Sequence, residues 1–168
     1  MNILTTENLT LREFTIDDAT QFFLNCQDDL IKKFMPYRSF ANKTQAKKHL
    51  ESLITATSSL QINYFVAIVK TDIDELIGHI GINEMHKGLE IEYAISKPHR
   101  GNNYGAEAVK AFSRWSKEYF NLDLIYALVG SQNISSSRTL ERAGFTFLKT
   151  DNEGEFNKRG ESRKVYVY

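Results

Sequence analysis

One stretch constrains this chain more than any other: Pro98-His99-Arg100-Gly101-Asn102-Asn103-Tyr104-Gly105-Ala106-Glu107-Ala108, which joins two segments of different hydrophobic period. Before it, Leu89-Glu90-Ile91-Glu92-Tyr93-Ala94-Ile95-Ser96 has the alternation and β-rich character of a strand. After it, Ala108, Phe112, Trp115 and Tyr119 recur at helical spacing between Tyr104 and Phe120. A glycine-containing strand-to-helix loop leaves backbone N–H groups unpaired at a helix N-terminus, where partial positive charge favours phosphate. The stretch therefore predicts a phosphate-binding turn, with an ordinary helix start as the structural alternative.

Two familiar phosphate motifs do not fit. No lysine follows a glycine as Gly-Lys-Ser or Gly-Lys-Thr, which a P-loop requires. A dinucleotide fingerprint needs three spaced glycines near the start of a βαβ unit, whereas this turn lies past the middle and follows three hairpin-type strands. Lys+Arg and Asp+Glu both number 21, so no global field recruits nucleic acid and any phosphate affinity is local. With 168 residues, 42% of them hydrophobic, the chain reads as a single domain, 1–168, large enough to bury a core. The single cysteine, Cys26, excludes an internal disulfide and reads as a buried thiol beside Phe22 and Phe23. The four histidines, His49, His79, His86 and His99, are scattered without metal-ligand spacing, and His79 reads as a packed strand residue. The start has no basic region followed by an apolar one, and no apolar run approaches the roughly 18 residues of a membrane span. The expectation is a soluble cytoplasmic protein with no nucleic-acid, membrane or metal partner.

Patterning along the chain predicts a strand at 9–14, then a helix carrying Ala19, Phe22, Phe23 and Cys26 and capped by Asp17 or Asp18. A second helix begins near Thr44, with Ala46, Leu50, Leu53, Ile54 and Thr57 on one face. Strands follow at 64–70 and 76–83 around a turn at 72–74, then at 89–96. Past the helix at 104–120 come a strand at 124–129, a helix at 134–143, and strands at 145–148 and 164–168. This order, β-αα-βββ-α-β-α-ββ, predicts a mixed sheet with helices on its faces.

A second segment adds to the first: Asn133-Ile134-Ser135-Ser136-Ser137-Arg138-Thr139-Leu140-Glu141-Arg142-Ala143-Gly144-Phe145. Asn133 can cap its helix and Gly144 can close it in left-handed geometry. Two strand-loop-helix units with polar helix starts suggest one elongated ligand touching both. Together with Leu9-Thr10-Leu11-Arg12-Glu13-Phe14, Leu76-Ile77-Gly78-His79-Ile80-Gly81-Ile82 and Glu90-Ile91-Glu92-Tyr93, these motifs resemble the GNAT N-acetyltransferase superfamily. The resemblance covers nearly the whole chain and is greatest to the branch of ribosomal-protein N-terminal alanine and serine acetyltransferases. It implies an α/β (α+β) fold, with a mostly antiparallel central sheet of about seven strands flanked by four helices. Where that family usually has a loop glycine this chain has Asn103, a residue that tolerates left-handed backbone.

The resemblance further implies an acetyl-CoA-dependent N-acetyltransferase that passes acetyl directly to a primary amine, a protein N-terminus or a small amine, in a ternary complex. By that analogy Ala94, Ile95 and Ser96 offer main-chain groups to the pantetheine arm. Arg100, Gly101, Asn102, Asn103, Tyr104, Gly105 and Ala106 surround the pyrophosphate. Asn133, Ser136 and Arg138 line the other side of the cofactor. Lys97 and His99 could also face phosphate, but read rather as solvated surface groups. An alkylammonium is mostly protonated at neutral pH, so a carboxylate must take its proton. The candidates are Glu155, in the loop 153–160, and Glu90 and Glu92, which share one face of their strand. Many family members stabilise the leaving thiolate with a tyrosine where this chain has Leu140, and Ser136 is the alternative donor. A non-catalytic acyl-CoA-binding or regulatory module is the competing reading, motivated by Asn103 and Leu140. Exposed sheet edges are compatible with a homodimer.

Overall fold

The apolar run Tyr64-Phe65-Val66-Ala67-Ile68-Val69 is continuous because its strand is covered on both faces. Tyr64, Val66 and Ile68 enter one core and Phe65, Ala67 and Val69 the other. The computed structural model describes residues 1–58, 63–85, 87–156 and 162–168, so His86 and positions 157–160 of the C-terminal loop lie outside the described residues. Among those described, eight strands form one sheet: β1 (Asn2–Thr5), β2 (Leu9–Arg12), β3 (Asn63–Lys70), β4 (Glu75–Met85), β5 (Gly88–Ile95), β6 (Tyr126–Gly130), β7 (Thr146–Asp151) and β8 (Arg163–Val167). Their order is β1-β2-β3-β4-β5-β6-β8-β7. Five helices accompany them: α1 (Ala19–Asn25), α2 (Asp29–Phe34), α3 (Lys43–Ser58), α4 (Tyr104–Phe120) and α5 (Ile134–Ala143).

This is the expected mixed, mostly antiparallel sheet, with one strand and one helix beyond the seven and four anticipated. The additions are β1, only four residues long, and α2, only six. Neither is long enough to display a hydrophobic period. The first predicted strand also ends sooner, at Arg12. Its guanidinium donates to the Glu13 carbonyl oxygen at 3.0 Å and forks onto Asp18 at 2.8 Å, while Phe14 turns into the core. Asp18 does not cap α1 with its side chain. It closes a capping box with Thr15 around a preceding 3₁₀ turn.

Helices α4 and α5 pack on one face of the sheet through Phe112, Val109 and Leu140. Helices α1 and α3 pack on the other through Phe22, Leu50 and Leu53, with Cys26 and His79 buried nearby. Removing a fully buried ring such as Phe112 would cost about 3–5 kcal/mol. What matters for the site is the middle of the sheet. The parallel pair β5–β6 keeps a single register pair, Glu90 with Tyr126, while every other pairing is antiparallel and longer. Past that pair the two strands stop exchanging hydrogen bonds, and both line a cavity.

Candidate active site

The turn between β5 and α4 has the geometry its residues demand. Gly101 has φ +84°, which glycine adopts without strain, and a Cβ there would meet open space. Asn103 also sits left-handed, at φ 65°, directly before α4, so the asparagine supplies the conformation expected of it. Tyr104, Gly105 and Ala106 at the start of α4 line the smaller of two cavities, and the first amides of a helix have no carbonyl one turn back to bond. Glu107, the acidic residue in the first turn of α4, is turned away from them. Its carboxylate accepts from Thr6 Oγ1 at 2.6 Å and from the Asn8 backbone and side chain at 2.8 and 3.0 Å.

The smaller cavity holds about 320 Å3. Of the residues assigned to the cofactor by resemblance, Ala94, Ile95, Arg100, Gly101, Asn103, Tyr104, Gly105, Ala106, Asn133, Ser136 and Arg138 line it. Ser96 and Asn102 do not. Ser96 is buried against His99 Nδ1 at 3.0 Å, and Asn102 donates to the carbonyls of His99 and Arg100 and so shapes the turn. His99 is accordingly held by Ser96, with Glu75 at 3.6 Å, and lines the smaller cavity rather than standing in solvent. At Gly105 a Cβ would lie 3.2 Å from Thr139, so the glycine lets α4 and α5 close together on the cavity wall. Arg100 is anchored by protein acceptors: Nε donates to the Ile95 carbonyl oxygen and Nη2 to Asp28 Oδ1, both at 2.9 Å. Asp28 caps α2, and α2 covers the cavity with Leu30, Ile31 and Phe34.

The larger cavity holds about 1170 Å3 and is bounded by β5, β6, α3 and the chain at 34–38. Glu90 and Glu92 both line it; Glu155 does not. Glu155 is ion-paired with Lys87 and Lys149, in a loop organised by Asp151, which accepts from the backbone N–H groups of Glu153, Glu155 and Phe156. The bond from Phe156, with those beside it, holds the Asp151 carboxyl below the usual carboxylate range.

Glu92 is equally committed. It accepts from Arg38 Nε at 2.5 Å and from the Tyr37 hydroxyl at 2.9 Å, and the Arg38 guanidinium lies 4.6 Å from the centre of the Phe65 ring. Arg38 and Glu92 are both buried, a pairing that costs desolvation and is offset by the hydrogen bonds from Arg38 and Tyr37 to the carboxylate. Burial, with the Arg38 charge beside it, pushes His49 down to about 4; the same causes push His79 to about 3. Both rings are therefore neutral near pH 7, and His49 Nε2 is positioned to accept from Arg38.

Five described residues line both cavities: Phe34, Met35, Tyr93, Asn133 and Ser136. Asn133 Oδ1 accepts from the Ser136 N–H at 3.2 Å, the predicted cap, and Gly144 closes α5 at φ 98° as expected. Ser136 Oγ lies 2.8 Å from the Tyr93 hydroxyl. Leu140, where a tyrosine donor is usual, is fully buried and lines the larger cavity. Sequence reasoning missed Tyr93, Asp28 and the Arg38–Glu92 pair, whose partners lie 43, 72 and 54 residues apart in the chain and share no local pattern. Among the described residues no group of three or more His, Cys, Asp or Glu is placed to hold a metal ion, and no helix is long and apolar enough to cross a membrane.

Residues 8–146 match the family model described as an acetyltransferase (GNAT) domain. The uncharacterized N-acetyltransferase p20 of Bacillus licheniformis is 31% identical over 148 residues, covering 86% of this chain and 83% of that protein. Among solved structures, one named as a putative ribosomal-protein-serine acetyltransferase from Vibrio cholerae superimposes with a TM-score of 0.81 at 19% identity, covering 100% of this chain and 97% of that one. The microcin C7 self-immunity acetyltransferase MccE, solved with acetyl-CoA and AMP, gives a TM-score of 0.82 at 15% identity over 97% of this chain and 93% of its own. At those identities the two structures speak for the fold, and the sequence matches speak for the family. The chain belongs to the GNAT acetyltransferase family and is an N-acetyltransferase.

Proposed function

We propose that this enzyme transfers acetyl from acetyl-CoA to a primary amine, with the donor in the smaller cavity, the amine in the larger, and both bound at once. The observation that carries this reading is the junction: two cavities share a wall at Ser136 and Tyr93, between β5 and the start of α5. The smaller cavity suits a pyrophosphate. It offers unpaired helix amides, a left-handed Gly101–Asn103 turn, and an acidic first-turn residue that is turned away. Acetyl-CoA supplies the activated acetyl group when bound.

The larger cavity suits a cation that must lose a proton. Of the three candidate carboxylates, Glu155 is absent from the wall; Glu90 and Glu92 both line it, Glu92 buried and Glu90 only half-buried, where an incoming amine can reach it. We assign the base to Glu90, and donation to the leaving sulfur to Ser136 at the α5 N-terminus. An amine with a pKa near 10 is then deprotonated on the enzyme. A ribosomal-protein N-terminus and a small polyamine both satisfy this chemistry.

Calorimetry with acetyl-CoA, paired with thiol release over a panel of Ser- and Ala-initiated peptides and small amines, tests the reading. Expected are saturable donor binding and turnover on at least one amine, with Glu90→Gln lowering kcat by about 100-fold at unchanged donor affinity. Donor binding without turnover on any acceptor would leave an acyl-CoA-binding module instead. A wild-type rate for Glu90→Gln would return the base to Glu155 or Glu92.

A further inference from the structure

Two hydroxyl groups meet where the cavities join. Tyr93 reaches there from β5 and Ser136 from the first turn of α5, and each lines both cavities. The Tyr93 hydroxyl is 2.8 Å from Ser136 Oγ but 3.3 Å from the Ser136 carbonyl oxygen. Either hydroxyl can donate in the 2.8 Å contact, and with Tyr93 as the donor Ser136 keeps its own hydrogen for a third atom. The serine backbone is fixed as well, through its N–H on Asn133.

We propose that Tyr93 is a positioning residue: by donating to Ser136 Oγ, it turns the serine hydrogen toward the sulfur that leaves during transfer. The proposal rests on the reading of the two cavities as donor and acceptor sites. In that step the amine nitrogen bonds to the acetyl carbon and the carbon–sulfur bond breaks. The electron pair stays on sulfur, the nitrogen sheds one proton to Glu90 before attack and a second to water after it, and the thiolate takes a proton from water after it leaves. Burial pushes the Tyr93 hydroxyl up to about 12, and a thiol ordinarily titrates near 8.5. Passing the tyrosine proton to the thiolate is therefore uphill, so the pair solvates the sulfur anion and does not protonate it. The partial positive charge at the start of α5 acts on the same anion.

The test compares wild type, Tyr93→Phe, Ser136→Ala and the double variant. Expected are a fall in kcat of about 100-fold for Ser136→Ala and about 10-fold for Tyr93→Phe, with KM for acetyl-CoA nearly unchanged. The double variant should be no slower than Ser136→Ala, because a residue acting through another adds nothing once its partner is gone. Losses that multiply, or a Tyr93→Phe effect on KM alone, would overturn the assignment. A second readout needs no turnover. In the free protein, with the tyrosine ring carbon bearing the hydroxyl labelled with 13C, Ser136→Ala should shift the Tyr93 resonance, and an unmoved resonance refutes the pairing. A wild type that transfers acetyl to no amine sinks the functional reading and this inference with it. An active wild type with an indifferent Tyr93→Phe sinks the inference alone.

Discussion

Asn103 is the residue at which a departure from the usual loop becomes a measurable quantity. Its φ of 65° is one that glycine reaches freely and asparagine reaches better than most side chains. Asn103→Gly should leave stability within about 0.5 kcal/mol and bind acetyl-CoA at least as tightly as wild type. A β-branched residue has no such tolerance. Asn103→Val should cost about 1–2 kcal/mol in thermal unfolding and weaken acetyl-CoA binding several-fold by calorimetry. Indistinguishable melting and binding for Asn103→Val would show that the left-handed turn is not what the cavity depends on. This position is legible in the sequence, because the cost of positive φ belongs to the residue itself. The same is true of Asn133 and Gly144, whose capping roles are local.

At the scale of elements, α2 ties the site together. Its six residues form fewer than two turns, too few to be stable alone, so its ends must be fastened. Asp28 does this at the start, accepting from Leu30 N at 2.9 Å and from Arg100 at 2.9 Å. Burial opposes the charge, but the Arg100 and Leu30 hydrogen bonds prevail and hold the Asp28 carboxyl below its ordinary range. Just beyond the other end, Arg38 and Tyr37 fasten the chain to Glu92. Asp28→Ala removes cap and ion pair together and should cost about 1–2 kcal/mol, with weaker acetyl-CoA binding because α2 covers that cavity. Asp28→Asn keeps a capping oxygen and should lose less. Equal losses for the two would mean that the charge on Arg100 matters and the cap does not. None of this is visible in the sequence. A helix this short shows no period, and its fastenings reach 72 and 54 residues along the chain.

For the whole molecule, the two neutral histidines make stability depend on acidity. His49 and His79 titrate at about 4 and about 3 when folded, against 6.5 as free side chains. Between those values the unfolded chain binds more protons than the folded one, so stability is complete above about pH 6.5 and falls as the pH drops toward 4. Urea midpoints measured from pH 7.5 to 4.5 should decline, and His49→Gln should flatten the decline. An unchanged slope in that variant would remove His49 from the account. The order of the elements other than β1 and α2, the double-sided burial of β3 and the helix starts at Tyr104 and Ile134 follow from hydrophobic period and turn chemistry. The separation of β5 from β6, the sealing of Glu92 by Arg38 and the meeting of Tyr93 with Ser136 are products of packing between distant segments, which no window of sequence contains.

The shared wall also bears on how such an enzyme changes allegiance. Among the described residues only Phe34, Met35, Tyr93, Asn133 and Ser136 belong to both cavities. Ser52, Asn63 and Glu84 belong to the larger one alone. If the larger cavity takes the amine, as proposed, substitutions at those three positions should change which amine is used while acetyl-CoA affinity stays at the wild-type value.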